Sequence, residues 1–166
     1  MNRIIVILTV LLLQLACMQV ASSAENTVQV AMHAYKVVTT AKGTKLVASD
    51  AAMPGDTIEY QVTYTNTGAT PAREVLATLP VPQAGLAYVP DSAMPAAVQA
   101  SLDGVTYAPM PLVRTVTRNG KPVTENVPAA EYRFLRWKLG EIKPGASSTV
   151  SSRMRLDSAS VTNVRS

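Results

Sequence analysis

Between Thr57 and Asn66 the side chains alternate without a break. Ile58, Tyr60, Val62 and Tyr64 are apolar or aromatic, and Glu59, Gln61, Thr63 and Thr65 are polar. A period of two sends successive side chains to opposite faces of a pleated strand, so one face can be buried and the other wetted. Turn chemistry closes the segment at both ends. Pro54-Gly55 fits the central pair of a type II turn: proline restricts φ at the first position and glycine accepts positive φ at the second. Asn66 to Pro71 turns the chain again. A chain built around such a strand needs a second apolar layer to cover it.

The remaining segments follow the same alternation. Asn26 to Thr40 is rich in valine and threonine, with Val28, Val30 and Met32 on one face and Gln29 and His33 on the other. Lys42-Gly43-Thr44-Lys45 is a turn, and Leu46 to Ala48 continues as a short strand. Arg73 to Leu79 places Val75, Ala77 and Leu79 together. Pro80, Pro82, Pro90 and Pro95 exclude a central strand there and leave only short edge pairing near Leu86 to Val89. Val98 to Leu102 and Val105 to Tyr107 flank a hairpin turn at Asp103-Gly104. Val113 to Thr117 and Val123 to Asn126 flank Asn119-Gly120, the dipeptide best suited to a type I′ turn. Leu135, Trp137 and Leu139 alternate with Phe134, Arg136 and Lys138. After Pro144-Gly145, Val150, Met154 and Leu156 face away from Arg153 and Arg155, and Val161 to Val164 forms a last strand. Short strands separated by glycine, proline and asparagine turns predict an all-β fold, a single antiparallel β-sandwich. The phase of Trp137 places it between the two sheets.

The order of these motifs resembles the DUF11, or conserved-repeat, domain. The resemblance rests on Pro54-Gly55-Asp56, Asn66-Thr67-Gly68, Leu79-Pro80, Leu135-Arg136-Trp137-Lys138-Leu139-Gly140 and Pro144-Gly145-Ala146, and covers roughly residues 44 to 164. It implies an immunoglobulin-like sandwich of exported bacterial proteins with a structural, adhesive or assembly role in the cell envelope. The motif residues belong to turns and core, so the resemblance speaks to fold rather than to activity. Unlike tandem members of that family, this chain carries one copy.

The N-terminus reads as a secretory signal. Arg3 precedes the apolar run Ile4 to Leu13, and Ser22-Ser23-Ala24 offers small residues for cleavage. The expected division is a signal peptide at residues 1–24 and one sandwich domain at 25–166. The apolar run is shorter than the about 20 residues of an ordinary span, so no membrane span is expected after cleavage. Asp157 to Ser166 is polar and short, which speaks against a C-terminal anchor. Leu15-Ala16-Cys17 partly matches a lipoprotein box, but Gln14 stands where that box prefers an aliphatic residue, so Cys17 is expected to leave with the signal. The mature chain then holds no thiol or disulfide, and its stability rests on its apolar core. The product is expected in the periplasm or the medium.

Candidate chemistry is sparse. The formal net charge of +4 is scattered, with no long basic block and few aromatics, so nucleic acid is not an expected partner. His33 is the only histidine and stands in no nucleophile or base motif. Asp50, Asp56, Glu59, Asp91, Asp103 and Asp157 form no D-x-D-x-D-G run, although a calcium site in a loop stays open. Asp56 is expected to bond the backbone just after the Pro-Gly turn. Glu131 and Glu141 pair on paper as a glycosidase acid and base, against the simpler reading of solvated strand residues. A lysine–asparagine isopeptide between Lys36 or Lys45 and Asn163 has the right strand order but no further motif. No catalytic, cofactor or metal residues are therefore assigned.

One surface is singled out. Arg136, Lys138, Arg153 and Arg155 fall on the outward faces of two late strands, and pairing of those strands would make them a basic strip for an anionic polysaccharide, lipid headgroups or an acidic envelope protein. The leading functional expectation is a non-enzymatic exported module with a structural, adhesion or assembly role. The alternative is a periplasmic ligand-binding or chaperone-like module acting through an exposed strand edge, framed by the 80–95 stretch and the 112–126 hairpin, or through the basic strip. A hydrolase built around His33 ranks last.

Overall fold

The turn residues adopt the backbone that their chemistry favours. In the computed structural model, which describes residues 27–48, 51–82 and 85–157, Gly55 has φ of 91° after Pro54, and Asn119 and Gly120 have φ of 52° and 74°. Two successive positive φ values are the signature of a type I′ hairpin turn. The signal segment, Cys17, Asp50, Asn163 and the strand expected at 161–164 lie outside the described residues.

Between the turns run β1 (Val28–Thr40), β2 (Gly43–Ala48), β3 (Thr57–Asn66), β4 (Ala72–Pro80), β5 (Leu86–Tyr88) and β6 (Val98–Ser101). They are followed by β7 (Ala108–Pro109), β8 (Val113–Arg118), β9 (Lys121–Asn126), β10 (Phe134–Ile142) and β11 (Ser147–Leu156). One sheet has the order β2-β1-β3-β11-β5, the other β4-β10-β6-β7, and β8-β9 is a separate hairpin. Every pairing among them is antiparallel. The only helical element among the described residues is a 3-10 turn at Ala129–Glu131, and none of their helices is long and apolar enough to cross a membrane.

The core lies between the two large sheets. Val62, Tyr64, Val150 and Met154 come from the five-stranded sheet; Ala77, Leu79, Val98, Ala100, Leu135 and Trp137 come from the four-stranded one. Trp137 is 1 % exposed, and its Nε1–H donates to the Pro95 carbonyl at 2.8 Å. A buried indole therefore keeps its polar group satisfied. The outer face of the five-stranded sheet is a polar ladder, with Thr63–Thr149 at 2.9 Å and Thr65–Ser147 at 2.8 Å. These opposed faces realise the alternation read along residues 58–65.

The motif residues are fastening points. Asn66 is fully buried, and its Nδ2 donates to the carbonyls of Thr70 and Ile142, each at 2.8 Å, while Oδ1 accepts from Gly68 N–H at 3.0 Å. Its backbone accepts from Gly145 N–H and donates to the Ala146 carbonyl. Likewise, Gly55 N–H donates to the Leu156 carbonyl and Leu156 N–H to the Asp56 carbonyl. Gly140 sits at a register shift between β10 and β4 with φ of 73°, the conformation a bulge glycine supplies.

Two segments depart from expectation. The turn expected at Lys42 to Lys45 is made by Ala41 and Lys42, with Gly43 to Lys45 already paired in β2. The second departure follows β6. Val105 to Tyr107 is not a strand: β6 pairs with β7 at Ala108–Pro109, and the residues between form a loop. Asp103 Oδ1 accepts from Val105 N–H, Thr106 N–H and the Ser101 hydroxyl, at 2.8, 2.8 and 2.9 Å. The side chain captures the backbone donors that a tight hairpin would have used.

Candidate functional site

The four cations do not assemble. Arg136 and Lys138 stand on β10, which pairs with β4 and β6, whereas Arg153 and Arg155 stand on β11, which pairs with β3 and β5. The single strip required β10 and β11 to be neighbours in one sheet, and they belong to different sheets. Arg153 Nε meets Glu59 Oε2 at 2.8 Å across β3, and Gln61 holds the other carboxylate oxygen at 2.8 Å. Glu59 thus pairs with one of the two charges expected on that face. Arg155 is exposed at the end of β11.

The β10 half keeps a more specific setting. The Arg136 guanidinium lies 3.5 Å from the centre of the Tyr107 ring, a cation–π arrangement that fixes its plane. Arg136, Lys138, Gln99, Pro109 and Met110 line a shallow recess of about 430 Å³ on the outer face of the four-stranded sheet. Tyr107 was not singled out in the sequence, because its contact depends on the loop that Asp103 folds.

The residues considered for catalysis are dispersed. His33 is exposed on β1, opposite Gln61, with Tyr35 the ring beside it at 6.3 Å. Glu131 pairs with Arg114 at 2.7 Å, and Glu141 with Arg73 at 3.4 Å. Lys36 Nζ bonds Asp56 Oδ2 at 2.7 Å, and Lys45 lies exposed on β2 opposite Val38. Asp56 also accepts from Met53 N–H, on the near side of the Pro-Gly turn rather than beyond it. The Lys36 bond, followed by the Met53 N–H, holds the Asp56 carboxyl below its ordinary value. Among the described residues no group of three or more metal-ligating side chains converges.

A cleft of about 330 Å³ opens beside the hairpin base, lined by Tyr88, Asp91, Met110, Val127 and Tyr132 among others. Tyr88 and Tyr132 stack with centroids 5.9 Å apart, and Leu112 N–H donates to the Tyr132 hydroxyl at 3.0 Å. Burial raises the Tyr88 phenol above its ordinary value, with the Ala93 backbone opposing. Among the described residues the lining holds one carboxylate, Asp91, and no imidazole.

The most distinctive surface is the outer edge of β1. The hairpin to β2 covers Tyr35 to Thr40 only, so no described strand pairs with the outer edge of Val28–Ala34. This stretch contains no charge, proline or glycine, and its register with β3 is unbroken. Three other edges are blunted: β4 carries Arg73, Glu74 at φ 53° and terminal Pro80; β7 contains Pro109; β5 spans only Leu86–Tyr88. Val30 and Met32 share the face of Tyr64 and Val62, yet are 58 % and 60 % exposed, so the four-stranded sheet does not reach over them. Sequence patterning found their common face but not their lack of cover.

Comparison with protein-family models, with curated proteins and with solved structures finds no match for this chain.

Proposed function

We propose that the chain is an exported, non-enzymatic module of the bacterial cell envelope that assembles by strand addition along the outer edge of β1. The observation that carries this reading is the uncharged, proline-free stretch Val28–Ala34, whose outer edge has no partner among the described residues. Such an edge offers a row of backbone donors and acceptors to an incoming strand. The exposed Val30 and Met32 add apolar contact beside that row. The signal-like N-terminus and the conserved-repeat resemblance support the envelope setting. Photo-crosslinking residues placed at Gln29 and His33 in producing cells test the reading. Adducts are expected from both positions, and none from a control at Thr78 on β4. Absence of adducts at the two edge positions would remove it, and recovery of the chain with residues 1–24 intact in the cytoplasm would remove the export.

A second reading is favoured by the recess at Arg136. A guanidinium pinned on Tyr107 beside Lys138 suits an anionic polysaccharide or acidic protein segment. Arg136→Gln with Lys138→Gln is expected to lower the salt at which the protein leaves an anionic-polysaccharide column by more than Arg153→Gln with Arg155→Gln. Equal shifts would mean that net charge alone acts.

A further inference from the structure

Resting on the reading of Arg136 and Lys138 as an anion contact, we infer that their recess is a carbohydrate site for a sparsely charged, uronate-containing polysaccharide, whose carboxylate docks on the Arg136 guanidinium. That guanidinium is held in place but makes little use of its donors. Tyr107 fixes its plane at 3.5 Å, Nε is buried with no hydrogen-bond partner among the described residues, and Nη2 reaches only Gln99 Oε1, at 3.5 Å. Nη1 makes no hydrogen bond among them. Arg73, Arg114, Arg118 and Arg153 each meet a carboxylate of this chain, whereas Arg136 meets none. A planar cation, fixed by a ring and with its N–H groups unused, presents the fork that matches a planar carboxylate.

The neighbouring side chains suit sugar rings. Thr78, Arg136, Gln99 and Pro109 form one row across the four-stranded sheet, and Leu76 and Lys138 stand in the next row. Lys138 lines both the Arg136 recess and a second one of about 450 Å³, which it shares with Leu76 and Glu74. The two cations are therefore flanked by Pro109 and Met110 on one side and by Leu76, 50 % exposed, on the other. Apolar flanks take the C–H faces of sugars, and the few polar groups, here Gln99 and Thr78, take hydroxyls. The row from Pro109 to Thr78 crosses three strand spacings, about 14 Å, so it accommodates an oligosaccharide rather than a single sugar.

Two features narrow the ligand further. Glu74 shares the second recess with Lys138, and no ion pair joins them among the described residues. A densely sulfated chain would lay its next anions beside this carboxylate, whereas widely spaced carboxylates avoid it. An acidic peptide finds no strand edge at Arg136, because β10 is paired with both β4 and β6 across Phe134–Trp137. The edge strand on that side, β7, is two residues long and contains Pro109.

The test is an NMR titration of isotope-labelled protein, purified in the form its producing cell makes, with hyaluronan oligosaccharides at about 0.15 M salt. Two charged contacts on a shallow face imply a dissociation constant of about 0.1 to 1 mM, with shifts centred on Gln99, Tyr107, Arg136 and Lys138. Methyl-esterified oligosaccharides, which keep the sugar and lose the charge, are expected not to bind. Arg136→Lys keeps the charge but loses the fork, and is expected to weaken binding about tenfold. Tyr107→Leu releases the guanidinium plane and is expected to weaken it about fivefold, while Tyr107→Phe keeps the ring and binds as wild type. Lys138→Gln, at an exposed position that folding does not confound, is expected to weaken it about threefold. Unchanged tryptophan emission checks the fold of each variant. Equal binding by Arg136→Lys and wild type would falsify the carboxylate fork, and esters that bind like the free acids would do the same. Tighter binding of dextran sulfate, indifferent to Arg136→Lys, would mean that the surface reads charge alone. Polyglutamate binding with the Arg136 dependence, in place of hyaluronan, would make the occupant an acidic protein segment. Either result overturns the uronate and leaves the anion contact standing. No binding of hyaluronan, dextran sulfate or polyglutamate at about 5 mM would end both.

Discussion

The Asn66 side chain donates to the Ile142 carbonyl at 2.8 Å, joining the end of β3 to the end of β10 from inside the sandwich. That bond ties together two motifs far apart in sequence, Asn66-Thr67-Gly68 and Pro144-Gly145-Ala146, because the Asn66 backbone also bonds Gly145 and Ala146. It explains why the two motifs belong together in one fold.

Asn66→Ala is expected to destabilise the protein by about 3 kcal/mol, since it orphans the Thr70 and Ile142 carbonyls and the Gly68 N–H. Asn66→Asp separates geometry from donor chemistry. An ionised carboxylate would face two carbonyl oxygens, so folding raises its affinity for a proton, and stability relative to wild type should rise as pH falls. Urea titrations at about pH 7 and pH 4.5 check this through the sign of the change.

Gly68 is constrained by space. A Cβ built there lies 2.6 Å from both Cβ and Cγ2 of Thr27, which no ordinary contact tolerates. Gly68→Ala should therefore displace Thr27 and lower the melting temperature, and Thr27→Gly should recover part of the loss. A loss that persists undiminished in the double variant would place the strain elsewhere.

The fold was legible where local physics decides it. Period-two alternation located β3 and β10, the Pro-Gly pairs marked the turns beside them, and Asn119-Gly120 marked the turn between β8 and β9. Partner choice was not legible. Arg153 and Glu59 are remote in sequence, and β10 and β11 are joined by a tight turn yet enter different sheets. The reason is visible at Asn66, which takes Gly145 N–H and the Ala146 carbonyl into its own bonds. A strip inferred from two sequence-adjacent strands fails for that cause. The open edge of β1 was half legible: valine and threonine marked Asn26 to Thr40 as extended, but only the length of β2 decides which part is left uncovered.

Trp137 offers a direct reading of the core. As the sole tryptophan, buried and bonded to Pro95, it should emit at short wavelength and shift to the red on unfolding. Trp137→Phe removes the donor to the Pro95 carbonyl and leaves unfilled volume. The expected cost is about 2 kcal/mol, measured by chemical denaturation followed in the far ultraviolet.

Acid should loosen the loop after β6 in a defined window. Three donors, led by the Thr106 and Val105 N–H groups and followed by the Ser101 hydroxyl, lower the Asp103 carboxyl from 3.8 to about 2. The folded state thus binds this proton less readily than the unfolded chain. The carboxylate's contribution is complete above the unfolded value near 4, declines as pH falls, and is gone below about 2. Asp103→Ala should lose stability relative to wild type at neutral pH, with the difference narrowing between about pH 4 and 2. Hydrogen exchange at Val105 and Thr106 should show the same dependence, because their N–H groups are the donors. A gap that stays constant through that window would mean the loop is held by its glycine turn and not by the ionised side chain.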